Sequence, residues 1–162
     1  MYNQEHIYSL LNKYKLQYEM ETHEPALTVD DMISYGLADK GVLCKNLFLR
    51  DSKGKRFFLV SLEGTKQADL KELGKKLGAG NISFASEEKL MEILGVVQGG
   101  VAPFALVNDK NRKVEFFIDQ ELTKCDKLAI HPLINTETIF ISYKNLEKFL
   151  WNEDIDVIKI RL

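Results

Sequence analysis

VLCKNLFLR (residues 42–50), DSKGK (51–55) and RFFLVSL (56–62) form the stretch that decides the fold. Both flanks are rich in β-branched and aromatic residues, and the middle carries aspartate, serine and glycine, so the spacing predicts two antiparallel strands joined by a hairpin loop. By a period of two, Lys45, Leu47 and Leu49 share one face of the first strand, and Cys44, Asn46 and Phe48 share the other.

Outward from this hairpin, helix and strand signals alternate without a long linker. Ile7, Leu10, Leu11 and Tyr14 fall at helical spacing in residues 4–15, with Asn3 as N-cap. Residues 17–22 alternate as a short strand, with Tyr18 and Met20 on one face. Thr28 and Asp31 read as a capping box for a short helix through Tyr35. A helix is predicted over 68–77, with Leu70, Leu73 and Leu77 inward and Gly78 as its stop. A strand at 82–85 precedes a helix over 87–94, begun by Ser86 and ended by Gly95. Strands are predicted at 103–108, 113–119, 127–131 and 137–142, then a helix over 143–151 after Ser142, then a strand at 156–161. The hairpins and the lack of regular βαβ repetition predict an α+β fold: a mixed, largely antiparallel sheet with helices packed around it. Its 162 residues are the size of one domain,.

Composition narrows the function classes. Apolar residues make up 45% and charged residues 28%, as in an ordinary globular protein,. No apolar run reaches the ~20 residues of a membrane helix, and MYNQEHIYSLLNKYK lacks the pattern of a signal peptide. Cys44 and Cys125 form no CxxC pair, which argues against zinc and a disulfide framework and favours a reducing cytoplasm. The net charge of −2 conceals an asymmetry: residues 40–76 carry ten basic and four acidic residues, the remainder 12 and 20. A basic stretch on an acidic protein fits either a polyanionic partner or a solvated hairpin and helix face.

Four segments could carry chemistry. Gly99-Gly100-Val101-Ala102-Pro103 precedes a predicted strand; it is either a turn or a nest of outward N–H groups for a carbonyl oxygen or phosphate. Lys45 interrupts an apolar strand and lies either at an edge or in a polar cavity. His131-Pro132-Leu133 with Asn135 places an extended histidine at a strand end, as a structural group or a pocket donor. His23-Glu24-Pro25 reads as a turn into the helix capped by Thr28. Cys44 reads as a small core residue. There is no GxSxG, P-loop, HExxH or GxGxxG pattern, and three histidines leave little for a metal site,.

Taken in order, HEPALTVDD (23–31), CKNLFLRD (44–51), GGVAP (99–103) running into FALVND, and HPLINTET (131–138) resemble the family of prolyl-tRNA editing domains, the YbaK-type domain. The resemblance runs nearly end to end. The family's GxxxP loop falls on Gly99 and Pro103 and its strand lysine on Lys45, and the HPLxN segment is similar to the free-standing, alanine-specific type. Relatives often have serine where this chain has Gly100, which a backbone role tolerates and a hydroxyl role does not.

The resemblance implies a partly barrel-like sheet and one editing domain over residues 1–162. It implies hydrolysis of an aminoacyl ester on the 3′-terminal adenosine of tRNA for proline, with no metal or other cofactor. Amides from Gly100 to Ala102 would stabilise the oxyanion. Lys45 would anchor the nucleotide or the carbonyl, and the terminal ribose hydroxyl would help activate water. Ile33, Asn46, His131 and Asn135 would line a pocket admitting alanine and excluding proline, and Arg50, Lys53, Lys55 and Arg56 would meet acceptor-stem phosphates. The expected partner is tRNA for proline, with prolyl-tRNA synthetase as a further one; the expected state is a cytoplasmic monomer. Deacylation of cysteinyl-tRNA or another small aminoacyl group, a non-catalytic tRNA-binding module, and a plain structural domain are the competing readings.

Overall fold

The computed structural model describes residues 1–162. The decisive hairpin forms as expected. Strands β2 (Val42–Asp51) and β3 (Phe57–Glu63) pair antiparallel, with Lys45 opposite Leu62 and Asn46 opposite Ser61. The turn is closed by Asp51, whose carboxylate accepts the Lys55 and Arg56 amides at 2.8 and 3.1 Å. The two faces of β2 serve different cores. Cys44 and Phe48 enter the main core beneath α1 (Gln4–Lys13), α4 (Glu87–Leu94) and α5 (Tyr143–Asn152). Leu47 and Leu49 enter a second core beneath α3 (Leu70–Lys76). Strand β3 alternates likewise, Leu59 to the first and Phe58, Val60 and Leu62 to the second, as a strand covered on both faces must,.

The remaining strands are β1 (Glu19–Thr22), β4 (Ile82–Phe84), β5 (Val114–Asp119), β6 (Leu128–Ile130), β7 (Glu137–Ile141) and β8 (Ile158–Ile160). They complete an eight-stranded sheet of order β1-β7-β6-β2-β3-β5-β8, with β4 beside β2. Four pairings are antiparallel; β2–β6, β3–β5 and β5–β8 are parallel. Strand β2 joins both halves: its first residues pair with β6, and its length pairs with β3 and β4.

Caps fall where the sequence puts them. Asn3, Ser86 and Ser142 accept helix amides, Gly95 ends α4 in the left-handed region, and Thr28 with Asp31 forms the capping box of α2 (Val29–Ser34),. Two expectations fail. Residues Pro103–Asn108 are a buried 3-10 helix, not a strand. Proline at the first helical position and a wholly apolar FALV run account for it: periodicity cannot separate a buried strand from a buried helical segment. Met20 is 47% exposed, while Tyr18 packs on the main core. The strand begins only at Glu19, so one alternation does not carry through both residues.

Candidate active site

The four singled-out segments converge. A cavity of about 240 Å³ is walled by Ala26 to Val29 and Met32, by Cys44, Lys45 and Asn46 at the start of β2, by Gln98, Gly99 and Val101, and by His131 just after β6. The walls are tied together by backbone. The Ala26 amide donates to the Asn135 carbonyl and the His23 amide to the Thr136 carbonyl, each at 2.9 Å, extending the β1–β7 pairing past the end of β1.

The glycine loop leaves α4 at Gly95 and enters the 3-10 helix at Pro103. Gly99 has φ +96°, and a Cβ there would lie 3.4 Å from the Asn135 amide nitrogen. A Cβ on Gly100 would meet the Leu133 carbonyl oxygen at 2.5 Å, a contact no side chain tolerates,. That close approach holds this position to glycine in this chain. The amides differ in availability. Gly100 N–H donates to the Val97 carbonyl at 3.0 Å and is committed, whereas those of Val101 and Ala102 donate to no protein acceptor. Ala102 is fully buried, and an unpaired buried donor is uncommon enough to call for a ligand or water,. Of the expected Gly100-to-Ala102 amides, only Val101 belongs to a residue of the cavity wall; Gly100, Ala102 and Pro103 lie behind it.

His131 is one-sided. Its Nδ1–H donates to the Glu137 carbonyl at 3.0 Å, which leaves Nε2 as a lone-pair acceptor,. Burial pushes its pKa below the ordinary imidazole value, against the Glu137 hydrogen bond that raises it, and nearby His23 lowers it further. His131 is therefore neutral at pH 7. His23 stands 6.1 Å away, centroid to centroid, held between the Glu24 carbonyl and the Thr138 hydroxyl at 2.7 Å each. Ser61 donates to Asn46 Oδ1 at 2.5 Å, so the Asn46 Nδ2 hydrogens stay free for a ligand. The Lys45 ammonium rests on the main-chain carbonyl of Lys66 and makes no hydrogen bond to the glycine loop.

No carboxylate lines the cavity. Its one thiol, Cys44, is raised well above the ordinary range by burial and donates weakly to the Val42 carbonyl, so it stays protonated,. The chamber can offer amides, a neutral imidazole, a carboxamide and a nearby ammonium; it cannot offer a prepared nucleophile.

Several expected residues sit elsewhere. Ile33 is 45% exposed and absent from the wall; its neighbour Met32, 5% exposed, takes that place. One helical residue turns the side chain by about 100°, which carries Ile33 out of the wall that Met32 occupies. Asn135 lies behind Gly99 rather than on the wall. Arg56 is bound to Glu115 through two 2.9 Å hydrogen bonds and to the Gly78 carbonyl, over the Phe58 ring. Arg50 folds onto the Asp51 and Ser52 carbonyls. Lys53 and Lys55 remain exposed, about 20 Å along β2 from Lys45 at ~3.4 Å per residue,. Met32 and Gln98 are wall residues that sequence reasoning missed; Gln98 directly precedes the glycine pair, and nothing in Met32 sets it apart from core.

Fold and chamber together define the class: a mixed-sheet domain organised around a small, donor-lined cavity without a nucleophilic side chain. Residues 23–149 match the family model described as an aminoacyl-tRNA editing domain. The chain is 36% identical over 140 residues to the prolyl-tRNA editing protein ProX of Acetoanaerobium sticklandii, covering 86% of this chain and 85% of that one. It is 40% identical over 130 residues to prolyl-tRNA synthetase associated domain-containing protein 1 of Danio rerio, covering 79% and 70%. Among solved structures, a candidate trans-editing enzyme for prolyl-tRNA synthetase superposes with a TM-score of 0.70 over 98% of this chain and 96% of that one, at 16% identity. This chain belongs to the aminoacyl-tRNA editing domain family. As a member it is a hydrolase of the deacylase kind.

Proposed function

We propose that this chain, as one editing domain, hydrolyses the ester linking a small amino acid, alanine first, to the 3′-terminal adenosine of tRNA for proline, acting in trans after a prolyl-tRNA synthetase has mischarged it. The observation that carries the reading is the convergence of the GxxxP loop, Lys45, Asn46 and His131 on one cavity of about 240 Å³. Attack on an ester carbonyl places negative charge on its oxygen. A fixed amide, here that of Val101 on the wall, stabilises that charge without reorganising,. Asn46 Nδ2 and the His131 Nε2 lone pair suit the polar ends of an aminoacyl group. Lys45, on a flexible stem, reaches the terminal nucleotide or the carbonyl by leaving the Lys66 carbonyl. Water is activated with help from the ribose hydroxyl, since the wall carries neither a carboxylate nor a thiolate.

Size supports alanine. A synthetase rejects a smaller amino acid by only ~1–3 kcal/mol per missing methylene, so a second, smaller chamber is the physical remedy. The relatives named for prolyl-tRNA editing and for association with prolyl-tRNA synthetase support tRNA for proline as substrate and the synthetase as a partner. No helix is long and apolar enough to cross a membrane; a cytoplasmic monomer is the working state in this reading. Incubation with tRNA for proline charged with alanine, cysteine or proline tests it directly. Release of alanine well ahead of the other two is the expected result, and preferential release of cysteine would move the assignment to the cysteine-specific type. No release from any of them would favour a tRNA-binding module without turnover.

A further inference from the structure

Lys66 does two jobs at once. Its carbonyl receives the Lys45 ammonium. Its own ammonium reaches the other way, to Asp119 at 2.6 Å, Glu121 at 2.9 Å and the Leu162 carbonyl at 3.0 Å. Asp119 is only 1% exposed and Lys66 27%. This is an ion pair with one buried member, unlike the solvent-exposed pairs elsewhere on the surface. The strap between β3 and α3, residues 64–69, has no regular structure. Its main-chain anchors near Lys66 are few: Gly64 N–H to the Leu43 carbonyl and Lys66 N–H to the Glu63 carbonyl. The side-chain pin to Asp119 therefore fixes where the Lys66 carbonyl stands.

We infer that Lys66 is a positioning residue for Lys45: pinned to Asp119, it holds a main-chain carbonyl as the resting place of the Lys45 ammonium beside the cavity. The inference deepens the proposed reaction, because Lys45 is the cation that meets substrate there. Resting on a neutral oxygen rather than a carboxylate, Lys45 is restrained yet released at small cost, since a carbonyl contact is weaker than an ion pair. Glu63 opposes Cys44 across the hairpin, but its carboxylate is taken by Thr65. No acid competes for Lys45.

The test reads Lys45 itself, without relying on turnover. Trace acetylation of the folded protein, followed residue by residue by mass spectrometry, measures how free the Lys45 amine is. In Lys66→Met the Lys45 rate should rise about threefold or more, the scale expected of directly coupled neighbours, while the distant exposed lysines stay unchanged. Lys66→Arg keeps the pin and should leave Lys45 as protected as in the parent. Since Lys66→Met strands Asp119 and could unfold the chain, Lys66→Met/Asp119→Asn repeats the measurement with no buried charge. Equal Lys45 reactivity in the folded variants and the parent overturns the inference. Failure of the parent to deacylate any charged tRNA would overturn the proposed reaction and leave this measurement intact.

Discussion

The Leu133 carbonyl oxygen stands where a side chain on Gly100 would begin, 2.5 Å from its Cβ position. Leu133 is buried and holds φ +71°, a left-handed conformation that a leucine rarely adopts,. The GGVAP and HPLIN loops are thus interlocked, with the unusual backbone on the Leu133 side of the contact. Such strain persists only where surrounding packing enforces it, and it gathers at functional sites.

Gly100→Ala should therefore lose both stability and turnover. The added methyl must displace the Leu133 backbone, a cost of about 1–3 kcal/mol for overpacking. Urea unfolding measures the first effect and single-turnover deacylation the second. A variant as stable and as fast as the parent would show that the two loops yield freely.

Lys45→Ala should retain the fold, because its side chain leaves the second core intact, but lose roughly a hundredfold in deacylation, the scale of removing one charge-stabilising donor. Steady-state release of alanine from charged tRNA checks it. Full activity would remove Lys45 from the chemistry.

His131 makes stability depend on pH in a definite direction. Its folded pKa lies below the ordinary value of about 6.5,. Above that pH both states are neutral and the group contributes no slope. As pH falls below about 6.5 the unfolded chain takes up the proton first, so stability declines, by at most ~1.4 kcal/mol per pH unit, until the folded pKa is reached. Urea unfolding at pH 7.5 and 5.5 should show this loss in the parent and a smaller one in His131→Gln. Equal slopes would place the acid sensitivity elsewhere.

Selectivity should follow Met32 and not Ile33. Met32→Ala opens the wall of the cavity and should let a larger aminoacyl group, proline included, be released, at ~2–5 kcal/mol of stability. Ile33→Ala, altering an exposed side chain, should leave the ratio of alanine to proline release unchanged. The reverse pattern would restore the expectation drawn from the sequence.

Salt sensitivity of tRNA binding should reside in Lys53 and Lys55. Replacing both with alanine should lower the salt slope by about one for each phosphate no longer neutralised. Arg56→Ala should act mostly on stability, by ~0.5–1 kcal/mol given its half-exposed pair with Glu115,. Titrations of uncharged tRNA at several salt concentrations separate the two.

What the sequence discloses follows from the range of each interaction. The 42–62 hairpin and the Ser86-to-Gly95 helix are local, each written in alternation or caps within a single short stretch of chain, and both stand where expected. Parallel neighbours such as β3 and β5, joined across fifty residues, leave no local mark. Asn46 and Ile33 both come from the resemblance and not from spacing; Asn46 is on the wall, whereas Met32 stands in the place expected of Ile33. Arg56 reads as a free cation until Glu115, 59 positions on, comes into contact. Lys66 offers no signal at all, since its meaning depends on Asp119 and Lys45 at once.

Strand β2 has a mechanical consequence. It borders β3, β4 and β6, so it is the seam on which both halves of the sheet close. Cys44 to Asn46, three residues of the cavity wall, belong to that seam, so loosening either half disturbs the wall. Amide protons in the middle of β2 should therefore exchange with solvent only when the molecule opens as a whole.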